Sequence, residues 1–547
     1  MNICIYDKII KFRFLLLAVG GILTSLTLIF PTAGFLEWIT LIPAAFVLLV
    51  ASDRKELKIR KFYGYGFVFF MCYYLVIYHW FFYMYPMDFT GMSRGASAVV
   101  VAVAWLGLSA FQAVWSALVF PLYAGLSRTS LFRKLPVLKP FAAACIWTAF
   151  EWSQTIGWWG VPWGRLCLGQ SSYTFMLQSA SLFGSYFITF LLLIVNFSIA
   201  YMLLYNKLLK TLSAVCAGLL VFNIATGIVS EAVMENNNGD KITAAAIQGN
   251  ISSHDKWSDD SYRRSLEVYE KYTLEAAENG ADLVVWPETA LPYNIFSYDY
   301  MVEYVSNLAK EANVTILISA FTEQEGADYT DNDDDGLYNS IIEVKPDGTF
   351  GEVIYSKRHL VPFGEFVPMR SLVMTLIPPL ANIGMLEEDL LAGQGSNIMD
   401  TEVGKIGCGV CFDSIYEHVT REAVNDGAEL ICISTNDSWF WDSAAVYMHN
   451  SQSKLRAIET GRYLVRAANT GVSSIISPTG EILQELGALK EGYIMDDVYI
   501  RNNVTLYSVI GNLFVYLCIA FAAGGAVCSA VIHFKENKKI KQQGQKD

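Results

Sequence analysis

Three residues of this sequence have the types needed for covalent acyl chemistry: a carboxylate at Glu288, an amine at Lys357 and a thiol at Cys411. Each sits near the end of a short apolar run that reads as a buried strand. Such a set supplies a base, an oxyanion stabiliser and a nucleophile. Cys411 follows Gly407-Cys408-Gly409-Val410 and precedes Phe412-Asp413. That pattern predicts a strand-to-helix turn, where a helix N-terminus favours thiolate. Glu288 lies in Trp-Pro-Glu-Thr-Ala-Leu-Pro, among apolar neighbours that raise a carboxylate's proton affinity and suit it to general-base work. A fixed ammonium at Lys357 would stabilise the oxyanion of a tetrahedral intermediate. Glu365 follows eight residues later on a loop bounded by glycine and proline. Taken singly, each has an ordinary alternative: a core cysteine, a surface acid beside a turn proline, a solvated basic turn. Those alternatives weaken when the three positions are read together.

Other patterns carry less. Cys408 and Cys411 have Cys-x-x-Cys spacing, but no second pair exists to complete a metal site, and the spacing points the two to opposite faces of a strand. The segment Asp331, Asp333, Asp335, Gly336 begins like a calcium loop. Its twelfth position is Ile342, with Glu343 one place late, so a solvated hairpin is expected and no metal. The only other cysteine of the polar region is Cys432, and three cysteines make no disulfide framework. Trp158, Trp159 and Trp163 read as an interfacial aromatic belt, with a lipid pocket as the alternative.

The elements that must position these residues fall between about 240 and 500. Apolar runs at 243–248, 282–286, 315–319, 340–344, 405–410 and 430–434 predict strands. Helices are expected over 258–278, 414–425 and 446–462. In the first of these Tyr262, Leu266, Tyr269 and Ala276 form one stripe, and Gly280 is a stop. Such alternation predicts a layered α/β fold with chemistry at strand ends.

The rest of the chain is too apolar for a soluble protein. Over 547 residues the composition is 53% hydrophobic, with mean hydropathy +0.35. Spans are expected near 14–30, 35–51, 62–84, 96–126, 140–156, 173–204, 212–231 and 505–532. The first follows Lys8, Lys11 and Arg13 but lacks a convincing cleavage site, so it reads as a retained anchor. Basic clusters at 54–61, 128–139, 207–210 and 535–541 all fall on the side of the N-terminus. The expected organisation is a transmembrane domain at 1–235, with about seven helices. An extracytoplasmic domain at 236–504, a final span at 505–532 and a basic cytoplasmic tail at 533–547 complete it. The net charge of −13 argues against a nucleic-acid partner.

The Glu-Lys-Cys set, in this order and setting, resembles the nitrilase superfamily. With its membrane helices the chain is similar to the apolipoprotein N-acyltransferases. Further matches are Val161-Pro162-Trp163 with Gly169-Gln170, Leu182-Phe183-Gly184-Ser185-Tyr186, Gln248-Gly249-Asn250, Asn436-Asp437-Ser438-Trp439-Phe440 and Ala468-Asn469-Thr470-Gly471-Val472. The resemblance implies an αββα sandwich, with Glu288 as base, Lys357 as oxyanion stabiliser and Cys411 as nucleophile. It implies that Glu365 supports the lysine and that Trp257 lies near the substrate. Where the family usually carries Tyr-Glu after the nucleophile, this chain has Phe412-Asp413, losing a hydroxyl and shortening a carboxylate.

The implied reaction is ping-pong, without a cofactor. A phospholipid acyl donor forms a thioester on Cys411, and the α-amine of a diacylglyceryl lipoprotein accepts the acyl group in the last step of lipoprotein maturation. The expected setting is the bacterial inner membrane, with both termini cytoplasmic and the protein monomeric. The apolar segment 369–392 reads as a lid dipping into the bilayer. Two alternatives stand beside this reading: a membrane-anchored amidohydrolase in which water is the acceptor, and a non-catalytic membrane scaffold.

Overall fold

The structure is a computed structural model describing residues 2–87, 92–157, 159–235, 239–252, 259–323, 336–376 and 389–543. Trp158, Trp257, the aspartates of the calcium-like segment and 377–388 of the proposed lid lie outside those residues.

Thirteen strands follow the membrane helices. They are β1 Lys241–Gln248, β2 Leu283–Val285, β3 Leu291–Asn294, β4 Thr315–Thr322, β5 Tyr338–Val344, β6 Phe350–Ser356 and β7 Ile398–Thr401. Then come β8 Gly404–Val410, β9 Leu430–Thr435, β10 Leu464–Ala468, β11 Ser473–Ile476, β12 Ile482–Leu486 and β13 Gly492–Tyr499. One sheet has the order β13-β1-β2-β4-β5-β6 with β3 beside β4, and the other runs β12-β11-β10-β9-β8-β7. The central pairs β1–β2, β2–β4, β8–β9 and β9–β10 are parallel.

Side-chain alternation explains the sandwich. Ala244, Ala246, Leu283, Val285 and Leu317 face Ile406, Cys408, Val410, Cys432 and Val465 in one apolar layer between the sheets. The intervening Ala245, Ile247, Val284, Ile316 and Ile318 pack on the other face against Tyr269, Ala276, Met301 and Val305 of helices Asp259–Glu278 and Asp299–Ala312. Ile431, Ile433 and Leu464 pack against Ala423, Val424 and Ala457 of helices Glu417–Asn425 and Ala444–Thr460. Burial on both faces requires near-continuous apolar strands. Gly407 is needed for this packing, because a Cβ there would lie 2.9 Å from Ala423 Cβ and 2.8 Å from Ile431 Cδ1. Cys408 is a core residue of the inter-sheet layer, and Cys411, just beyond the end of β8, packs against the same layer rather than the opposite face; both are free of disulfides.

Among the described residues, six helices are long and apolar enough to cross a membrane, or seven if the pair Ile5–Lys11 and Arg13–Ile29, bent by 75°, is one span, beside the eight apolar runs of the sequence. The run at 140–156 is a helix of only 16 residues, Leu138–Ser153, too short to span by length alone. In the run at 173–204 the long helix begins at Ser185, after a short helical piece at Ala180–Phe183. Gly184 stands before it at φ +78°, where a Cβ would meet the Tyr507 ring at 2.5 Å. The basic loops gather at one end of the bundle: Arg54 pairs with Asp7, Lys139 with Asp53 and Lys134 with Glu536.

The sandwich sits on the other end through a buried polar seam. Arg165 Nη2 donates to Gln452 Oε1 at 2.6 Å, and Ser185 N donates to Glu459 Oε1 at 2.9 Å. Arg456 pairs with Glu459 at 2.7 Å, and Glu417 lies 3.9 Å from both Arg165 and Arg456. All four charged side chains are at most 1% exposed. Around them Phe412, Ile415, Tyr416, Met448 and Leu455 join the apolar core of the membrane bundle. Trp163 belongs to this seam and is buried at 4%, so the interfacial-belt reading fails for it. Trp159, 53% exposed, fits that reading.

Candidate active site

Glu288 is held at the end of β2 by its neighbours. Trp286 is fully buried, stacks on Tyr269 at 5.0 Å and donates from Nε1 to Thr273 Oγ1 at 3.0 Å. Its carbonyl accepts from Ser434 of β9 at 2.8 Å, which ties the two sheets together beside the acid. Lys357 follows β6, its amide donating to Asn339 O at 2.8 Å. Its ammonium is 1% exposed and lies 3.0 Å from Glu288 Oε1 and 2.8 Å from Glu365 Oε1. Burial alone would lower the lysine's proton affinity. The two carboxylates outweigh that and hold it well above the usual range, so it is a permanent cation at neutral pH. Burial pushes Glu365 upward, against the pull of Lys357. Its other oxygen accepts from Val361 N at 2.9 Å.

Asn339, at the start of β5, was not singled out from sequence. Its Nδ2 donates to Glu288 Oε1 at 2.8 Å and to Glu365 Oε1 at 3.2 Å, so the amide and the ammonium clamp the same two oxygens. An asparagine that begins a strand gives no local signal. Its role follows from the antiparallel β5–β6 pairing, which carries Lys357 back alongside it.

Cys411 leaves β8 at φ +48° and opens a five-residue 3₁₀ helix, Cys411–Ile415. A non-glycine residue at positive φ is uncommon and marks a constrained turn. Burial pushes the thiol up to well above its ordinary value. Glu288 adds to that and Lys357 opposes it. Burial therefore opposes the thiolate that a helix N-terminus would favour, and Glu288 and Lys357 both act on the Cys411 sulfur electrostatically.

Asp413 explains how a shortened carboxylate serves here. It is fully buried and accepts from Val410 N at 3.1 Å, His359 N at 2.8 Å, His359 Nδ1 at 2.9 Å and Tyr355 OH at 2.7 Å. One side chain thus fastens the Lys357 loop to the Cys411 turn. Burial would raise its proton affinity, but the bonds from His359 and Tyr355 hold it below the ordinary range. Phe412 is 8% exposed and meets Tyr416 edge-on at 5.5 Å, within the apolar seam. A hydroxyl there would need a partner in apolar surroundings.

Cys411, Asp437 and His449 place potential metal-ligand atoms within 4.8 Å of one another. Asp437 is already paired with Arg466 Nη2 at 3.0 Å and His449 Nδ1 at 2.8 Å. His449 Nε2 lies 2.9 Å from Ser414 Oγ and 3.2 Å from Cys411 O. Burial first, then Arg466, lower the histidine's proton affinity. With a guanidinium in the set, the geometry is that of a hydrogen-bonded support beneath the nucleophile turn and not of a cation cage. Asp437 stands in the Asn436–Phe440 motif, whereas His449 carries no local sequence signal.

The expected residues Glu288 and Glu365 both contact Lys357, and Phe412 and Asp413 directly follow Cys411 in the turn. Trp257 lies outside the described residues. A buried cation shared by two carboxylates beside a thiol can activate that thiol, stabilise an oxyanion and return a proton to a leaving group.

Comparison with known proteins bears on this arrangement. Residues 243–501 match the carbon-nitrogen hydrolase family, and residues 20–198 match the apolipoprotein N-acyltransferase N-terminal domain. The apolipoprotein N-acyltransferase of Gloeobacter violaceus is 30% identical over 94% of this chain and 93% of its own. That of Geobacter metallireducens is 30% identical over 95% of each. Among solved structures, Saccharomyces cerevisiae Nit3 of the nitrilase superfamily is 20% identical, covering 48% of this chain and 91% of its own, with a TM-score of 0.37.

Proposed function

The chain belongs to the apolipoprotein N-acyltransferase family, and from that premise we propose that it moves a phospholipid acyl chain through a thioester on Cys411. The acceptor is the α-amine of the S-diacylglyceryl cysteine at a lipoprotein N-terminus. The observation that carries the reading is the buried Lys357 ammonium, 3.0 Å from Glu288 and 2.8 Å from Glu365, on a loop that Asp413 fastens to the turn presenting the thiol.

In the first half-reaction Glu288 takes the Cys411 proton and the sulfur attacks the ester carbonyl carbon. Lys357 donates to the developing oxyanion. The C–O bond breaks, Glu288 returns its proton to the leaving alkoxide, and a lysophospholipid departs. In the second half, the neutral α-amine attacks the thioester carbonyl and gives its proton to Glu288. The C–S bond then breaks, leaving an amide and a Cys411 sulfur that recovers the proton. Glu365 holds Lys357 in place, and Asp413 fixes the distance between the lysine loop and the nucleophile turn. Trp257 is assigned a place near the substrate on family resemblance.

The protein is a membrane protein, which we assign to the bacterial inner membrane with both termini cytoplasmic. The basic loops gather at the end of the bundle opposite the sandwich, which supports an extracytoplasmic site. Domain limits of 1–235, 236–504, 505–532 and 533–547 are proposed on the same basis. The discriminating experiment supplies wild-type protein with vesicle phospholipid and a diacylglyceryl-cysteine peptide. Amide formation on the peptide supports transfer. Release of free fatty acid with an unmodified peptide would instead identify an amidohydrolase-like esterase.

A further inference from the structure

Trp441 occupies a backbone conformation that side chains avoid. Its φ of +49° and ψ of −148° lie close to a region populated almost only by glycine. The loop enforces it: Phe440 N donates to Asp437 O at 3.0 Å and Ser443 N donates to Phe440 O at 3.2 Å, so Trp441 takes the second position of a tight turn that glycine normally fills. Yet the side chain is the largest available and is 49% exposed. A bulky residue kept at a strained, half-exposed position needs a reason outside the fold.

Its surroundings supply one. The preceding Phe440 packs edge-on to Trp80 at 4.7 Å and lies 5.6 Å from Trp163, at the end of the span Arg60–Met84. Phe82, Tyr83 and Tyr85, at and just beyond that end, are 44–50% exposed. Trp441 therefore extends a rim of exposed aromatic rings at the level where a bilayer ends, the depth that Trp and Tyr favour. The same loop begins at Asp437, which reaches the nucleophile turn through His449.

We propose that Trp441 contacts the acyl region of a bilayer phospholipid and favours entry of membrane-borne over water-borne thiol-reactive reagents, an inference that rests on the transferase reading above. The test compares wild type with Trp441→Gly and Trp441→Asn, both of which accept positive φ. Two rates are measured at Cys411: acyl-adduct formation from vesicles of phosphatidylethanolamine and phosphatidylglycerol, and alkylation by iodoacetamide. The ratio of the first rate to the second falls at least tenfold in both variants, as expected for withdrawing half a tryptophan surface from lipid, while the unfolding temperature stays equal or rises. An unchanged ratio overturns the proposal. So does a fall accompanied by a lower unfolding temperature, which marks a structural role. Should wild type form no adduct, the transferase reading fails and this inference falls with it.

Discussion

Replacing Lys357 with methionine removes one buried cation from between two carboxylates and keeps the stem's volume. At 1% exposure, with Glu288 and Glu365 at 3.0 and 2.8 Å, the loss leaves negative charge without compensation, which costs about 3–5 kcal/mol when the carboxylates stay ionised. Glu365 need not stay ionised: it is pushed upward by burial even with the lysine present, and without the lysine it takes up a proton. An acid whose folded-state proton affinity exceeds its unfolded one stabilises the fold at low pH and loses that contribution as pH rises. The stability deficit of Lys357→Met therefore grows with pH. At about 1.4 kcal/mol per pH unit for one proton, it is up to roughly 3 kcal/mol larger at pH 8 than at pH 6. Thermal unfolding in detergent at the two pH values, against wild type, measures this. Acyl-adduct formation falls at least 10²–10³-fold at both, since the oxyanion donor is gone. A deficit independent of pH would refute the shared-cation account.

Other perturbations probe the supports. Asn339→Ala withdraws the amide that bonds both carboxylates, and adduct formation falls at least tenfold, in line with two lost hydrogen bonds to charged groups, each of about 1.5–3 kcal/mol, with the fold intact by circular dichroism. Asp413→Ala frees the Lys357 loop from the Cys411 turn and unfolds more easily, by about 3 kcal/mol for four lost bonds that include charged ones. Asp413→Glu, restoring the family's usual acid, recovers part of the loss in the same melting assay. Glu417→Ala leaves Arg165 and Arg456 without their shared carboxylate and destabilises by about 3–5 kcal/mol. In wild type that carboxylate lies below its ordinary range: burial would raise it, but the two guanidiniums outweigh that. The stability it contributes is present above its unfolded range and is lost on acidification, so the gap between wild type and Glu417→Ala narrows as pH falls toward 4.

The sequence exposed what local pattern can encode. β1, β4, β8 and β9 are apolar on both faces because each lies between two packed layers, so their runs stood out. β12 and β13 did not, because Gln484, Glu485, Asp496 and Asp497 place polar groups on partly exposed faces. Glu288, Lys357 and Cys411 were readable because each interrupts an apolar run with a reactive group. Asn339 and His449 act through strand pairing and helix packing, which no short window contains. The seam was equally hidden, since Arg165 and Gln452 stand 287 residues apart. The run at 140–156 shows the converse limit: it has the composition of a membrane helix, and in the fold its helix is 16 residues long.

The most direct test of the central claim is the intact mass of purified protein after incubation with vesicle phospholipid, beside Cys411→Ser. The account predicts a hydroxylamine-sensitive increase of one fatty acyl chain in wild type, absent from the variant and discharged when a diacylglyceryl-cysteine peptide is added. A folded wild-type protein that never gains the acyl mass, or an adduct that persists in Cys411→Ser, would contradict it.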